Sequence, residues 1–313
     1  MRLSPRNRAE KTLPDQVLPA AIAMVIVALA CSSCGGVSHV TTRTQAAGPR
    51  QQATAPSLPV AQSKITRWNI PAHLNADQLQ EIDRSKKEFT FDVFGDNRGS
   101  TTIFENLVGK VNADKVLFSI DNGDLVDGGS VAHYRMFVGQ IAPATSPLLT
   151  SVGNHDDGSG ELYRTIFGKA YYTFAIGNSY FIVLDDSNER NIDSAQLAWL
   201  KERLAESQSY RFRFVFLHVP LFDPRAGSKG TDHSLEDPAF AGMLNDLFDQ
   251  YQVTLLLTSH IHGYYSGKWG STPYVITGGA GAPLQGSDPA HFFNHYIRVH
   301  VSEQGETFKV VKL

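Results

Sequence analysis

Five short stretches of this chain carry side chains able to hold cations or move protons. They are Gly95-Asp96-Asn97-Arg98, Gly123-Asp124-Leu125-Val126-Asp127, Gly153-Asn154-His155-Asp156, Leu217-His218-Val219-Pro220 and Ser259-His260-Ile261-His262. The donors are carboxylate, amide and imidazole, with no thiolate among them, a set suited to Mn, Fe, Zn or Co rather than to a soft site. Asp124 follows the apolar run Val116 to Ile120 on a glycine-flanked loop. A carboxylate so placed can bridge two cations, because each oxygen has lone pairs to spare. Any one stretch is weak evidence: Gly-Asn-His-Asp could be a turn, and His260 and His262 point to opposite faces of a strand unless the chain bends there. The weight lies in all five together.

What must position them is a set of buried strands, since each stretch follows one. Phe89–Phe94, Lys115–Ile120, Pro147–Val152, Phe212–Leu217 and Val253–Thr258 read as strands, and helical periods fall between them. Thr102 with Glu105 forms a capping box ahead of Phe104, Leu107, Val108 and Val111. Ala132–Ile141 is a second helix. Asp193 and Gln196 cap a third carrying Leu197, Leu200 and Leu204, and Pro238 behind Asp237 opens a fourth. Gly177-Asn178 between Tyr171–Ile176 and Tyr180–Leu184 marks a hairpin, and short β runs near 274–277, 296–301 and 308–311 close the chain. The class is α/β, with strands buried on both faces and helices outside. Loops at the carboxyl edge of such a sheet are where sites form.

The 313 residues divide into an N-terminal signal over 1–31, a linker and lead-in over 32–85, and a folded domain over 86–313. Arg2, Arg6, Arg8 and Lys11 precede the apolar run Val17 to Ala30, which is shorter than the ~20 residues a spanning helix needs. An export signal is the expectation. Ala28-Leu29-Ala30 fits ordinary cleavage, while Leu29-Ala30-Cys31 resembles a lipoprotein box and favours a lipid at Cys31 and a periplasmic or cell-envelope location. Cys31 and Cys34 are the only cysteines, so neither a disulfide framework nor a cysteine metal site is available to the domain. Residues 32–63 hold no aromatic side chain and no sustained apolar period, and read as a tether; 75–87 could form one lead-in helix. A net charge of -3 argues against nucleic acid held by bulk electrostatics, and membrane contact is expected only through the lipid.

From about Phe89 to Pro283 the chain resembles the calcineurin-like metallophosphoesterases. The supporting phrases Tyr171-Tyr172-Thr173-Phe174, Phe181-Ile182-Val183-Leu184-Asp185 and Ile276-Thr277-Gly278-Gly279-Ala280-Gly281 are similar to those of exported bacterial members. The resemblance implies a four-layer αββα sandwich, a dinuclear metal centre and a small phosphoester substrate. Carried over, it gives Asp96 and His262 to one metal, Asn154, His218 and His260 to the other, and Asp124 to both. His155 would be the general acid and Asp127 the carboxylate that orients it. Two cations roughly 4 Å apart lower the pKa of a shared water and neutralise phosphate oxygens during in-line attack, for a mono- or diester alike.

Two departures matter. The family's Asp-x-His is here Asp96-Asn97-Arg98, and a guanidinium cannot ligate a metal. The arginine that often follows Asp127 is Gly128. Arg98 is therefore a candidate to hold phosphate oxygens, the alternative being a pair with a local carboxylate such as Asp92 or Asp121. His233, in the polar loop 223–236, could line the substrate mouth, and Asp185-Asp186 reads as a strand-end turn. Gly278 to Gly281 would let backbone approach the site. Against a phosphoesterase stand a silent one-metal phosphoanion-binding protein of the same fold, prompted by Arg98, and a hydrolase acting on another ester.

Overall fold

The computed structural model describes residues 66–156, 160–225 and 233–313. The export signal, the lipoprotein box and both cysteines lie outside the described residues.

Two mixed sheets form the centre. The first is built from β1 (Phe89–Phe94), β2 (Phe118–Asn122), β3 (Leu148–Ser151), β10 (His295–Val301) and β11 (Glu306–Lys312), in the order β11-β10-β1-β2-β3. The second runs β4-β5-β6-β7-β9-β8, from β4 (Tyr172–Ile176), β5 (Ser179–Val183), β6 (Phe212–Phe216), β7 (Leu255–Thr258), β8 (Tyr264–Trp269) and β9 (Thr272–Thr277). Strands β1, β2 and β3 are parallel, as are β5, β6, β7 and β9; antiparallel strands occupy the flanks. Parallel strands need crossover helices, and those helices cover the outer faces.

Three apolar clusters fill the spaces between layers. Phe91, Phe118, Phe181 and Phe214 pack between the two sheets, with Phe91 and Phe118 stacked at 5.0 Å and Phe91 edge-on to Phe214 at 5.3 Å. Outside the first sheet lie α2 (Thr102–Asp114) and α3 (Val131–Ile141), whose Phe104, Leu107, Tyr134 and Phe137 are fully buried. Outside the second lie α5 (Ser194–Ser207) and α6 (Pro238–Gln250), through Leu200, Leu204, Leu244 and Phe248. The order is helix, sheet, sheet, helix: the αββα sandwich that the family resemblance implied.

Several expectations need correction. The Thr102–Glu105 capping box does not form; Thr101 is the N-cap and its side chain makes no cap bond. Asp193 and Asp237 do cap α5 and α6, accepting from Gln196 N and from Ala239 N and Phe240 N. The lead-in helix is shorter, α1 spanning Leu74–Glu81. It is also part of the packed unit: the Asn75 amide, buried, donates to Thr150 O at 3.0 Å and accepts from Thr150 N at 2.9 Å. Ile70 is buried too, so packing begins before residue 86. Strand β8 was not foreseen; its middle is exposed and lacks a period-two pattern. The remaining short helix, α4, covers Glu161–Ile166.

Candidate metal centre

The loops that leave β1, β2, β3, β6 and β7 meet at one edge of the sandwich. Asn122, at the end of β2, joins the two sheets there: its amide donates to Leu217 O at 2.8 Å and Leu257 O at 3.2 Å. The chain then bends sharply. Asp96, Arg98, Asp124 and His260 all adopt positive φ, between 45° and 65°, a region costly for residues with a Cβ. That bend resolves the His260/His262 question, because the two are not on a regular strand and both face inward.

Close approach of the loops explains their glycines. A Cβ on Gly153 would lie 2.3 Å from Asp124 N and 2.4 Å from its Oδ1, and one on Gly278 would lie 2.7 Å from Asp96 Oδ2. The segment after β9 also bonds directly to the first ligand loop, Ala280 N donating to Gly95 O and Ala282 N to Asp96 O.

Asp96, Asp124 and His262, all buried, bring one donor atom each within 4.8 Å of one another. His262 Nδ1–H donates to Pro283 O at 2.7 Å, which leaves Nε2 facing Asp96 Oδ1 at 3.5 Å. His218 is held the same way: Nδ1–H donates to Asn122 O at 3.0 Å, and Nε2 lies 3.3 Å from Asp124 Oδ1 and 3.0 Å from Asn154 Oδ1. Such outward bonds fix the ring and the tautomer of a ligating histidine. His260 Nδ1 reaches the same Asn154 oxygen at 3.1 Å, and its backbone N donates to Asp96 Oδ2 at 2.7 Å. All six expected ligands therefore surround one space.

The electrostatics are those of carboxylates and imidazoles buried side by side. Burial works against a charge on His218, yet Asp124, Asp96 and Asp186 outweigh it and raise its pKa to about 9. For His260, burial and then the His218 charge push the pKa down to about 3. Burial opposes ionised Asp96, but the His262 imidazole that faces it and the His218 charge hold its carboxyl below the ordinary value. Asp96 Oδ1 is nonetheless buried with no hydrogen-bond partner. A buried carboxylate oxygen without a donor, ringed by imidazole nitrogens and a second carboxylate, fits a divalent cation.

At the rim, Arg98 Nε donates to Asp127 Oδ1 at 3.1 Å and Nη2 lies against the same oxygen. His155 Nδ1 is 3.7 Å from that oxygen. Arg98 thus does pair with a local carboxylate, but the partner is Asp127, for Asp92 is engaged by Arg298 and Asp121 by the Asn97 amide. The hydrogen bond from Arg98 keeps the Asp127 carboxyl below its ordinary pKa. His233 stands at the centre as well, its ring 5.7 Å from that of His260.

Asp156 had no assigned role in the sequence, and Asp186 does more than the strand-end turn it was read as. Asp156 accepts from Asp124 N, Gly153 N and Val126 N at 3.0, 2.7 and 3.2 Å, so it ties the β2 and β3 loops together. Asp186 accepts from His218 N and Val219 N, both at 2.9 Å, and holds the β6 loop. Asp185 makes the expected turn, accepting from Ser187.

An αββα sandwich whose strand exits gather carboxylates, an asparagine and histidines around one buried space is the architecture of a metallophosphoesterase. The chain belongs to the calcineurin-like phosphoesterase family, whose pattern matches residues 89–264. It is 23% identical over 296 residues to a nucleotide pyrophosphatase/phosphodiesterase of Hordeum vulgare, covering 76% of this chain and 78% of that one. It is 23% identical over 244 residues to probable inactive purple acid phosphatase 27 of Arabidopsis thaliana, covering 61% of this chain but 40% of that protein's length. Among solved structures, purple acid phosphatase PPD1 from yellow lupin (Lupinus luteus) superposes with a TM-score of 0.60 at 18% identity, over 74% of this chain and 52% of that one. A dimetal phosphatase from Danio rerio gives 0.55 at 13% identity, over 72% and 98%. These likenesses establish the fold.

Proposed function

We propose that this protein hydrolyses small phosphoesters with two bound divalent metal ions. The observation that carries the reading is the convergence of Asp96, Asp124 and His262 donor atoms within 4.8 Å around an unpartnered Asp96 oxygen. Asp96 and His262 would hold one ion, Asn154, His218 and His260 the other, and Asp124 both. Bound ions of this kind lower the pKa of water and offset the negative charge of a phosphate.

The chain's own groups supply the rest. Hydrolysis adds a water oxygen to phosphorus and breaks the bond to the leaving oxygen, which must take a proton. His155 is half-buried, accessible from the rim, and faces Asp127, so it is placed to deliver that proton. Its backbone N donates to Asp124 Oδ1 at 2.9 Å, which fixes the proton donor to a ligand. Arg98 spends Nε and Nη2 on Asp127, which leaves Nη1 as the donor it would offer to a phosphate oxygen. The near-neutral chain and the compact rim support a small phosphoester over a nucleic acid polymer. The basic N-terminal stretch, the apolar run to Ala30 and Cys31 support export to the periplasm or cell envelope; an unmodified Cys31 in the mature protein would reject the lipid anchor.

The rival is a phosphoanion-binding protein without activity. It rests on Arg98 in place of a histidine and on two relatives named as probable inactive purple acid phosphatases. His155→Ala separates the two readings. For the hydrolase, aryl phosphate turnover falls by 10² or more while metal content is unchanged. A wild-type and variant pair that bind metal and phosphate alike, with no turnover in either, supports the rival.

A further inference from the structure

Beside the candidate centre lies a cavity of about 500 Å³ whose walls include Arg98, Ser100, Thr101, Thr102, Asp127 and Pro283. Its walls are bonded to the ligand loops. Ala282 N donates to Asp96 O at 2.8 Å, and Pro283 O accepts from the His262 ring at 2.7 Å. Asp127 joins the cavity to the proton donor, because the oxygen that meets Arg98 also faces His155 Nδ1 at 3.7 Å. A group attached to the leaving oxygen would extend from His155 past this carboxylate and into the cavity.

The lining decides what that group is. Arg98 is its cation and Asp127 its anion, and the two are paired, so the pocket offers no net charge to a second phosphate, which would also meet the Asp127 carboxylate. The polar remainder is mostly hydroxyl. Thr101 and Thr102 are exposed, Ser100 is half-buried, and the Thr101 side chain caps nothing on α2. Hydroxyls beside a carboxylate and a guanidinium match the donors and acceptors of a polyhydroxylated alcohol.

We infer that this cavity receives the alcohol portion of the substrate and selects a hydroxylated one, of sugar or glycerol type, over an aryl group. The inference rests on the hydrolase reading above and adds the class of leaving group to it.

The test compares kcat/KM for glycerol phosphate and phenyl phosphate, in full-length protein loaded with the metal that best supports phenyl phosphate turnover. The intrinsic difference between the two leaving groups cancels when the ratio is compared across variants. In Thr101→Val with Thr102→Val, two hydroxyls are lost at nearly constant shape, and the glycerol-to-phenyl ratio should fall about tenfold. Thr101→Ser with Thr102→Ser keeps the hydroxyls and should hold the ratio within about twofold. Should the valine pair not fold, Ser100→Ala, which lies outside α2, reads the same ratio with a severalfold fall expected. A ratio unchanged in the valine and alanine variants overturns the pocket assignment while leaving the hydrolase reading in place. Absence of turnover of both phenyl phosphate and glycerol phosphate in the wild type with every metal refutes the hydrolase reading and the leaving-group role with it.

Discussion

Asp156 supplies none of the metal donors, yet its carboxylate decides where two of them stand. It accepts three backbone N–H groups, from Asp124, Gly153 and Val126, in a fully buried position. Burial, and then the neighbouring Asp124 carboxylate, push its pKa upward, while the N–H donors pull it down. Asp156→Asn keeps the shape and tests which influence matters. The remaining amide oxygen can serve the Asp124 and Gly153 donors that now share Oδ2, but the NH2 group then faces Val126 N, donor against donor. One buried donor left unpaired costs about 1 to 3 kcal/mol, and turning two charge-assisted bonds into neutral ones costs about 1 kcal/mol each. The sum is about 3 to 5 kcal/mol, a large share of the about 5 to 15 kcal/mol that stabilises a typical domain. Thermal unfolding of metal-free protein should show a drop of roughly 10 °C. Metal titration should show about 10- to 100-fold weaker binding although every ligand is retained. A variant melting within about 2 °C of wild type with unchanged metal affinity would refute the reasoning, since a neutral group would then serve as well as the carboxylate.

Other consequences follow from single positions. Gly153→Ala drives a Cβ to within 2.4 Å of Asp124 N and Oδ1, so bound metal per chain should fall well below that of wild type by elemental analysis. Phe91→Ala removes a fully buried ring that meets Phe118, Phe181 and Phe214 between the sheets, and denaturant unfolding should show a loss of about 3 to 5 kcal/mol. Burial lowers the pKa of His295 from 6.5 to about 4, so the unfolded chain takes up its proton first as pH falls. Its contribution is complete above pH 6.5 and is lost between pH 6.5 and about 4, by about 3 kcal/mol in all. Between pH 7 and 4.5 the wild type should lose roughly 2 kcal/mol more stability than His295→Phe, measured by urea denaturation at each pH.

What was legible in the sequence was whatever repeats or clusters. The apolar runs that became β1, β2, β3, β6 and β7 were visible because buried parallel strands are continuous apolar segments, and the ligand motifs stand directly after them. Asp193 and Asp237 were readable as caps because each cap and the N–H that donates to it are two or three residues apart. The missing pieces depend on distance along the chain. Arg98 and Asp127 are separated by 29 residues, and Asn75 and Thr150 by 75, so neither pairing leaves a local pattern. Asp156 and Asp186 sit in loops among other polar residues, and only the folded chain shows which N–H groups donate to them. The Thr102–Glu105 box failed because the helix begins one residue earlier than that cap requires, with Thr101 at the N-cap. Asp-x-Arg in place of Asp-x-His was visible from the start, but the partner that Arg98 takes was not.

The central claim is a metal-dependent phosphoesterase built on Asp96, Asp124, Asn154, His218, His260 and His262. Its most direct test is the hydrolysis of paired aryl phosphate mono- and diesters by protein stripped of metal and reloaded with Mn, Zn, Fe or Co in turn. The account predicts turnover that appears only on reloading, prefers one ester type, and is abolished by Asp124→Asn. Folded protein that binds these metals and turns over neither ester with any of them would contradict it.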